Sequence, residues 1–238
     1  MILIAYHAFP LYRAGIIKEL VKRGGVHFVG GADEAEGIKN FHFSEGQSFV
    51  KTRTLRFGRV LLQPGLIWLA LTGRYDAYVY LANPNHLTTW IAAAICRVRG
   101  KRVVFWGHGF LNAGEAGLKD VGRRIFFSLA NAFYSYSYRA KRNALARGFR
   151  SEDLYVGFNS LDYEAQLKLR LAMVNRVEAE RSGVFRIVAI SRLTALCEYE
   201  VLLTAAKILV RQNGIRLKIT FIGDGPVRKR LEELASAL

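Results

Sequence analysis

The sequence predicts an α/β fold of two Rossmann-like, doubly wound units, the second of them incomplete. Three observations predict it. Short apolar runs, several of them continuous, alternate with helical patterns along most of the 238 residues, as strands of a sheet covered on both faces require. Glycines punctuate that alternation: Gly24-Gly25, Gly148 and Asn213-Gly214 each close a helical pattern a few residues before a strand, the rhythm of βαβ units. The rhythm lapses over the charged, helix-prone stretch 164–183 and restarts with Arg186-Ile187-Val188-Ala189-Ile190.

Taken in order, the predicted strands are 2–6, 26–30, 77–81, 102–106, 132–137 and 154–158, then 186–191 and 217–222. The opening Met1-Ile2-Leu3-Ile4-Ala5 has neither a basic flank nor a cleavage site, so it reads as the first strand and not as a signal peptide. Between the third and fourth strands, Leu87, Trp90, Ile91, Ala94, Ile95 and Val98 recur at helical spacing and are predicted as the core face of that helix, with Gly100 as its cap. The apolar run 60–72 is interrupted by Gln63-Pro64-Gly65 and falls short of the ~18–20 residues of a membrane span. The expected organisation is a first domain over 1–163, a linker helix over 164–183 and a partial second domain over 184–238.

Hydrophobic residues make up 51% of the chain, enough for a core and too many for disorder. The two cysteines, Cys96 and Cys197, are far apart, which suggests no disulfide framework and fits a reducing, cytoplasmic compartment. The formal charge is +16 and unevenly spread. Lys51, Arg53, Arg56, Arg59 and Arg74 meet no acid between Glu45 and Asp76; Arg97, Arg99, Lys101 and Arg102 follow; 119–150 holds eight cations against Asp120 alone. Such a surface favours anionic partners, and an anionic membrane face, with the protein peripheral on it, is the one expected. The aromatic run Phe133, Tyr134, Tyr136 and Tyr138 alternates with serines, as a sheet strand would. It is not read as a base-stacking platform, so nucleic acid is not the expected partner. A basic nucleic-acid-binding or scaffold protein remains the rival reading of the same charge.

In open α/β sheets ligands bind beyond the carboxyl ends of the strands, so the residues there form a site list. It comprises Tyr6-His7-Ala8-Phe9-Pro10, Gly30-Gly31, Asn83-Pro84-Asn85-His86, Gly107-His108-Gly109-Phe110, Asn159-Ser160-Leu161-Asp162, Arg192-Leu193 and Gly223-Asp224-Gly225-Pro226. Neither a dinucleotide fingerprint nor a P-loop is present, nor a serine elbow, nor H-E-x-x-H. No Asp-x-Asp pair is available to hold a metal–diphosphate, which argues against metal-dependent sugar transfer. No metal or cofactor is expected.

Arg186-Ile187-Val188-Ala189-Ile190-Ser191-Arg192-Leu193, followed some thirty residues later by a strand ending in Gly223-Asp224-Gly225-Pro226, resembles the donor domain of group 1 glycosyltransferases, the retaining family 4 with the GT-B fold. Phe105-Trp106-Gly107-His108-Gly109 is similar to that family's strand ending in histidine, and Leu154 to Asp162 to its strand ending in Asn-x-x-Asp. Three departures stand out. The family's lysine five residues after the arginine is Cys197; Phe9-Pro10-Leu11-Tyr12-Arg13 replaces the glycine-rich loop after the first strand; and the paired-glutamate motif would fall beyond Leu238.

The resemblance implies a transferase moving a sugar, with retention, from a uridine- or guanosine-linked diphosphate donor to a glycan or lipid-linked acceptor, as in lipopolysaccharide or other polysaccharide synthesis. It implies His108 as the catalytic residue facing the sugar or acceptor. Arg192 would sit on the donor diphosphate, with Cys197 in the second cation's place and Gly223, Asp224 and Gly225 near the base or ribose. His7, Asn83, His86, Gly107, Gly109 and Asn159 would occupy the acceptor side or cleft. An inactive transferase fragment is the further alternative, favoured by Cys197.

Overall fold

The computed structural model describes residues 1–31, 34–35, 38–44, 46, 48–110, 117–159, 161–173 and 183–237. Strand β1 (Ile2–Ala5) leads through a 3-10 turn (Leu11–Arg13) into α1 (Ala14–Arg23) and β2 (Val26–Gly30). The short hairpin of β3 (Glu34–Ala35) and β4 (Ile38–Lys39), the strand β5 (Phe49–Lys51) and a second hairpin, β6 (Leu55–Phe57) and β7 (Val60–Leu62), come next. Then follow α2 (Pro64–Thr72), β8 (Ala77–Leu81), α3 (Leu87–Val98), β9 (Arg102–Gly107), α4 (Leu118–Ser128), β10 (Ala132–Ser135), α5 (Tyr138–Leu145), β11 (Leu154–Val156) and α6 (Tyr163–Met173). The chain continues as β12 (Phe185–Ile190), α7 (Tyr199–Asn213), β13 (Leu217–Ile222) and α8 (Arg228–Ser236). It divides into two compact units, Met1–Ala172 and Met173–Leu238.

Among the described residues, the first unit is built on a seven-stranded sheet ordered β11-β10-β9-β8-β1-β2-β5, with every neighbouring pair parallel. Residues alternate between its faces, as the pleat dictates. One face carries Leu3, Ala5, Val29, Tyr78, Tyr80, Val103, Phe105, Phe133 and Leu154 into a core closed by Leu66, Ala70, Ala92, Ala93, Cys96, Phe126, Phe127 and Ala144 of α2 to α5. Phe105 stacks on Phe126 at 4.4 Å, and each such fully buried ring contributes on the order of 1.5–3 kcal/mol. The opposite face packs Ile4 and Phe28 with Tyr6, Phe9 and Ile17, beside Phe41, Phe43 and Phe49.

All eight predicted strands are present. β1 and β12 end one residue earlier than expected, and two strands end two residues earlier. β10 stops at Ser135 because the Ser137 hydroxyl accepts the Ala140 amide at 3.2 Å and caps α5; β11 stops at Val156, and Phe158 turns out of extended backbone with φ 54. Strands β3 to β7 have no counterpart in the sequence reading. They fall in the stretch of weak patterning before Ala77, and each is only two or three residues long.

The orientation of α3 reverses the expectation. Its buried residues are Thr88, Thr89, Ala92, Ala93 and Cys96, while Leu87, Ile91 and Val98 are 46%, 49% and 90% exposed. Close packing is the reason: small side chains let α3 approach α2 and β9, and the Thr88 hydroxyl accepts the Gln63 amide at 3.0 Å. Trp90 and Ile95 pack on the core from its flank.

Helix α6 lies in the stretch read as a linker and has no buried residue; 174–182 are outside the described residues. In the second unit β12 and β13 pair in parallel from Phe185↔Leu217 to Ile190↔Ile222. Leu193, Leu203 and Leu231 form its small core with Ile219 and Phe221.

Candidate functional site

The loops at the carboxyl edge of the first unit's sheet converge on one cation. After β1 the chain turns back through Leu11–Arg13, and the Arg13 guanidinium comes to lie 5.1 Å from the Tyr6 ring, 5.3 Å from Trp106 and 5.4 Å from Tyr136. It also donates to the Tyr136 hydroxyl. Aromatic faces attract a cation through their quadrupoles, more strongly where water is excluded. Arg13 Nε is buried with no hydrogen-bond partner among the described residues. The Tyr6 hydroxyl donates to the Trp106 carbonyl at 3.2 Å, joining the β1 loop to β9. His108 follows β9 directly, is exposed, and meets the Tyr136 ring edge-on at 4.8 Å. Partial burial, and then the positive charge of Arg13, hold its pKa below the ordinary value. The imidazole is therefore neutral near pH 7, with one nitrogen to donate and one to accept.

The two glycines flanking His108 are packing requirements. A Cβ on Gly107 would stand 2.9 Å from the Ala82 Cβ; one on Gly109, where φ is +64, would stand 2.4 Å from the Phe133 ring. Asn83 uses its side chain within its own loop, accepting the Asn85 amide at 3.0 Å. Asn159 is exposed, and its neighbour Ser160 is outside the described residues. Asp162 accepts the Ala165 amide at 3.1 Å and pairs with Lys18 at 3.6 Å, so it starts α6 and ties it to α1.

His86 is 0% exposed, below the rim and not on it. Neither ring nitrogen finds a partner among the described residues, and burial, then His7, lower its pKa to about 4. Close by in space, across the bridge that pairs Leu61 with His86, Gln63 is also 0% exposed. Its Nε2 donates to the Tyr6 carbonyl at 3.4 Å and to Thr52 Oγ1 at 3.2 Å, while the Thr52 amide donates to the Gly30 carbonyl at 2.7 Å. This buried polar belt fixes the loops after β1 and β2. Beside those loops lies a cavity of about 190 Å³, lined by Gly30, Gly31, Asn40, His42, Lys51 and the aromatic rings of Phe41, Phe43 and Phe49, among others.

In the second unit the loops after β12 and β13 are zipped together. The Leu193 amide donates to the Asp224 carbonyl at 2.9 Å, and the Val227 amide to the Leu193 carbonyl at 3.2 Å. A Cβ on Gly223 would stand 1.9 Å from the Ser191 carbonyl oxygen, and one on Gly225 2.3 Å from that of Leu193, so only glycine allows this approach. The Asp224 carboxylate accepts the Gly225 amide at 2.8 Å. Arg192 is exposed at the end of β12. Cys197 Sγ lies 3.3 Å from the Arg192 carbonyl and 3.3 Å from the Ser191 hydroxyl; that hydroxyl, then Thr194, lower the thiol pKa.

Solved structures of three proteins share this architecture. HepE from Anabaena in complex with UDP aligns over 99% of this chain and 65% of its own, at TM-score 0.60 and 15% identity. The lipopolysaccharide outer core galactosyltransferase WaaB aligns over 99% and 64%, at TM-score 0.58 and 12% identity. UDP-GlcNAc 2-epimerase from Methanocaldococcus jannaschii aligns over 98% and 67%, at TM-score 0.54 and 12% identity. The fold is GT-B-like. No protein-family profile and no curated protein sequence matches the chain. It spans about two-thirds of the length of the structures it resembles.

Within this GT-B-like frame, the rim of the first unit holds Arg13, His108 and Tyr136 together, and the second unit brings Arg192, Cys197 and Gly223-Asp224-Gly225 to one edge. Arg13 is absent from the sequence-based site list. Its only signal was position: it follows the first strand, where the resembling family has a glycine-rich loop.

Proposed function

We propose that the protein acts on a nucleotide-diphosphate sugar and transfers the sugar, with retention, to a hydroxyl of a glycan or lipid-linked acceptor. The observation that carries this reading is the second unit's edge, where two glycines without room for a side chain bring the β13 loop against the β12 loop beside an exposed arginine. It does so in a fold shared with a protein solved with UDP. Arg192 is the diphosphate ligand: a guanidinium holds two phosphoryl oxygens in a fixed fork, and the nucleotide diphosphate gains negative charge as the sugar departs. The amides opening α7 and α8 add positive potential. Asp224, exposed beside Gly225, is assigned to the ribose or base.

In the first unit, His108 is the residue assigned to the reacting sugar or acceptor hydroxyl. Its neutral ring exchanges hydrogen bonds with hydroxyls, and partial burial, then Arg13 beside it, favour that neutral form. The aromatic-lined 190 Å³ cavity is assigned to the acceptor. A second reading, a UDP-sugar epimerase, is favoured by the alignment with the 2-epimerase. Incubation with radiolabelled UDP- and GDP-sugars separates the two. Transfer yields free nucleotide diphosphate only with acceptor present and a labelled acceptor product; epimerisation yields a changed sugar without any acceptor. Loss of donor binding in neither Arg192→Ala nor Gly223→Ala would refute the assignment of the donor edge.

A further inference from the structure

Helices α2, α3 and α4 cover the same face of the first unit's sheet, with α2 against α3 and Trp90 of α3 against Phe126 of α4 at 5.0 Å. Each buries one side and turns bulky apolar residues outward. On α3 these are Leu87, Ile91 and Val98, spaced to share one stripe. On α4 they are Leu118, 91% exposed, with Val121 and Ile125; on α2 they are Trp68, 67% exposed, and Leu71. An ordinary amphipathic surface helix does the reverse. Contiguous exposed apolar residues on a folded domain mark a surface that takes a partner.

The charges around this face choose the partner. Arg74 follows α2; Arg97 and Arg99 close α3, and Lys101 and Arg102 lead into β9 after it; Lys119, Arg123 and Arg124 lie on α4. The acid on α4, Asp120, is turned inward onto Arg147 at 3.0 Å, both side chains largely buried. Beside α4 runs a groove of about 410 Å³, lined by Val121, Ile125, Phe149, Arg124 and Arg147, a combination of apolar wall and guanidinium groups. No helix among the described residues is long and apolar enough to cross a membrane, and α2, α3 and α4 have nine, twelve and eleven residues.

We propose that the outward face of α2, α3 and α4 is a membrane-docking surface that lies in the headgroup layer of an anionic phospholipid bilayer. The apolar stripes enter the acyl boundary, Trp68 sits at the polar–apolar junction that tryptophan prefers, and the flanking lysines and arginines meet lipid phosphates. A second copy of this chain is disfavoured on the surface, because both copies would bring the same excess of positive charge. Stacked nucleic acid would use the cations and leave the aliphatic stripe in water. The inference goes beyond the proposed sugar chemistry and does not depend on it.

Vesicle flotation of the full chain tests it. The wild type is expected to float with phosphatidylcholine vesicles containing about 30 mol% phosphatidylglycerol and to stay behind with pure phosphatidylcholine. The variant Leu87→Ser/Ile91→Ser/Val98→Ser, checked by circular dichroism for an unchanged fold, is expected to lose about tenfold or more in partitioning. Its nucleotide binding is expected to be unchanged, which keeps failure here distinct from failure of the donor-site reading. The charge variant Arg97→Glu/Lys119→Glu/Arg124→Glu is expected to lose flotation as well. Flotation of either variant like the wild type, equal binding to neutral vesicles, or absence of wild-type binding would each overturn the proposal. So would a wild-type dimer that the serine variant abolishes without any vesicle binding.

Discussion

His86 makes the stability of the first unit fall in mild acid, and the size of the fall follows from its burial. The ring is 0% exposed, and its pKa lies at about 4 against an ordinary 6.5. Between those two values the unfolded chain binds a proton that the native state refuses. The stabilisation is thus complete above about pH 6.5 and is lost as the pH falls toward about 4. One proton costs about 1.4 kcal/mol per pH unit, or about 3 kcal/mol across the window. That is a large share of the about 5–15 kcal/mol that holds a typical domain together. His86→Gln removes the titration while keeping a polar side chain. Urea unfolding followed by the fluorescence of Trp68, Trp90 and Trp106, at several pH values between 7 and 4, reads the first unit, because all three tryptophans lie in it. The other titratable groups are common to both proteins, so the difference between the two stability curves reads His86 together with its coupling to His7. That difference is expected to grow by about 3 kcal/mol toward low pH, in favour of the variant. Parallel curves would show that the ring is solvated or partnered in solution and not buried and neutral.

Further outcomes follow from the same geometry. In an assay that detects transfer, His108→Ala is expected to lower kcat by about 2–4 kcal/mol of activation free energy with donor affinity little changed; wild-type turnover would remove His108 from the site. Cys197→Lys is expected to tighten nucleotide diphosphate binding by about 1.5–3 kcal/mol through a charge-assisted contact, and unchanged calorimetric affinity would mean that position 197 does not face the diphosphate. Gly223→Ala must displace the Ser191 carbonyl, 1.9 Å from the new Cβ. It is expected to destabilise the second unit by about 1–3 kcal/mol and to weaken nucleotide binding together with it; a fully stable variant would contradict the loop geometry.

Eight strands, β1, β2, β8 to β11, β12 and β13, were legible because they are short, largely apolar runs bounded by turn residues, a signal that one sequence carries by itself. The glycine pair of the β13 loop was legible for the same reason. The direction in which α3 faces was not. Periodicity finds an apolar stripe but does not say whether core or partner receives it, and here Ala92, Ala93 and Cys96 win the core because small residues admit the neighbouring helix. Strands β3 to β7 are too short for a period to register. Arg13 is not legible because a lone arginine after a proline turn has no motif; only the folded rings of Tyr6, Trp106 and Tyr136 show that its charge is held at the rim beside His108. His86 looked like a rim residue from its place after β8, and the bridge between its backbone and Leu61 puts it underneath.

The most direct measurement of the central claim is calorimetric titration of the 238-residue chain with UDP and with GDP, alone and in the Arg192→Ala variant. Saturable binding of at least one nucleotide diphosphate is expected in the wild type. The variant is expected to lose about 1.5–3 kcal/mol of it, the loss of a charged hydrogen bond. Absence of binding to either nucleotide, or identical affinity in the Arg192→Ala variant, would contradict the assignment of the second unit's strand edge to a nucleotide-diphosphate sugar.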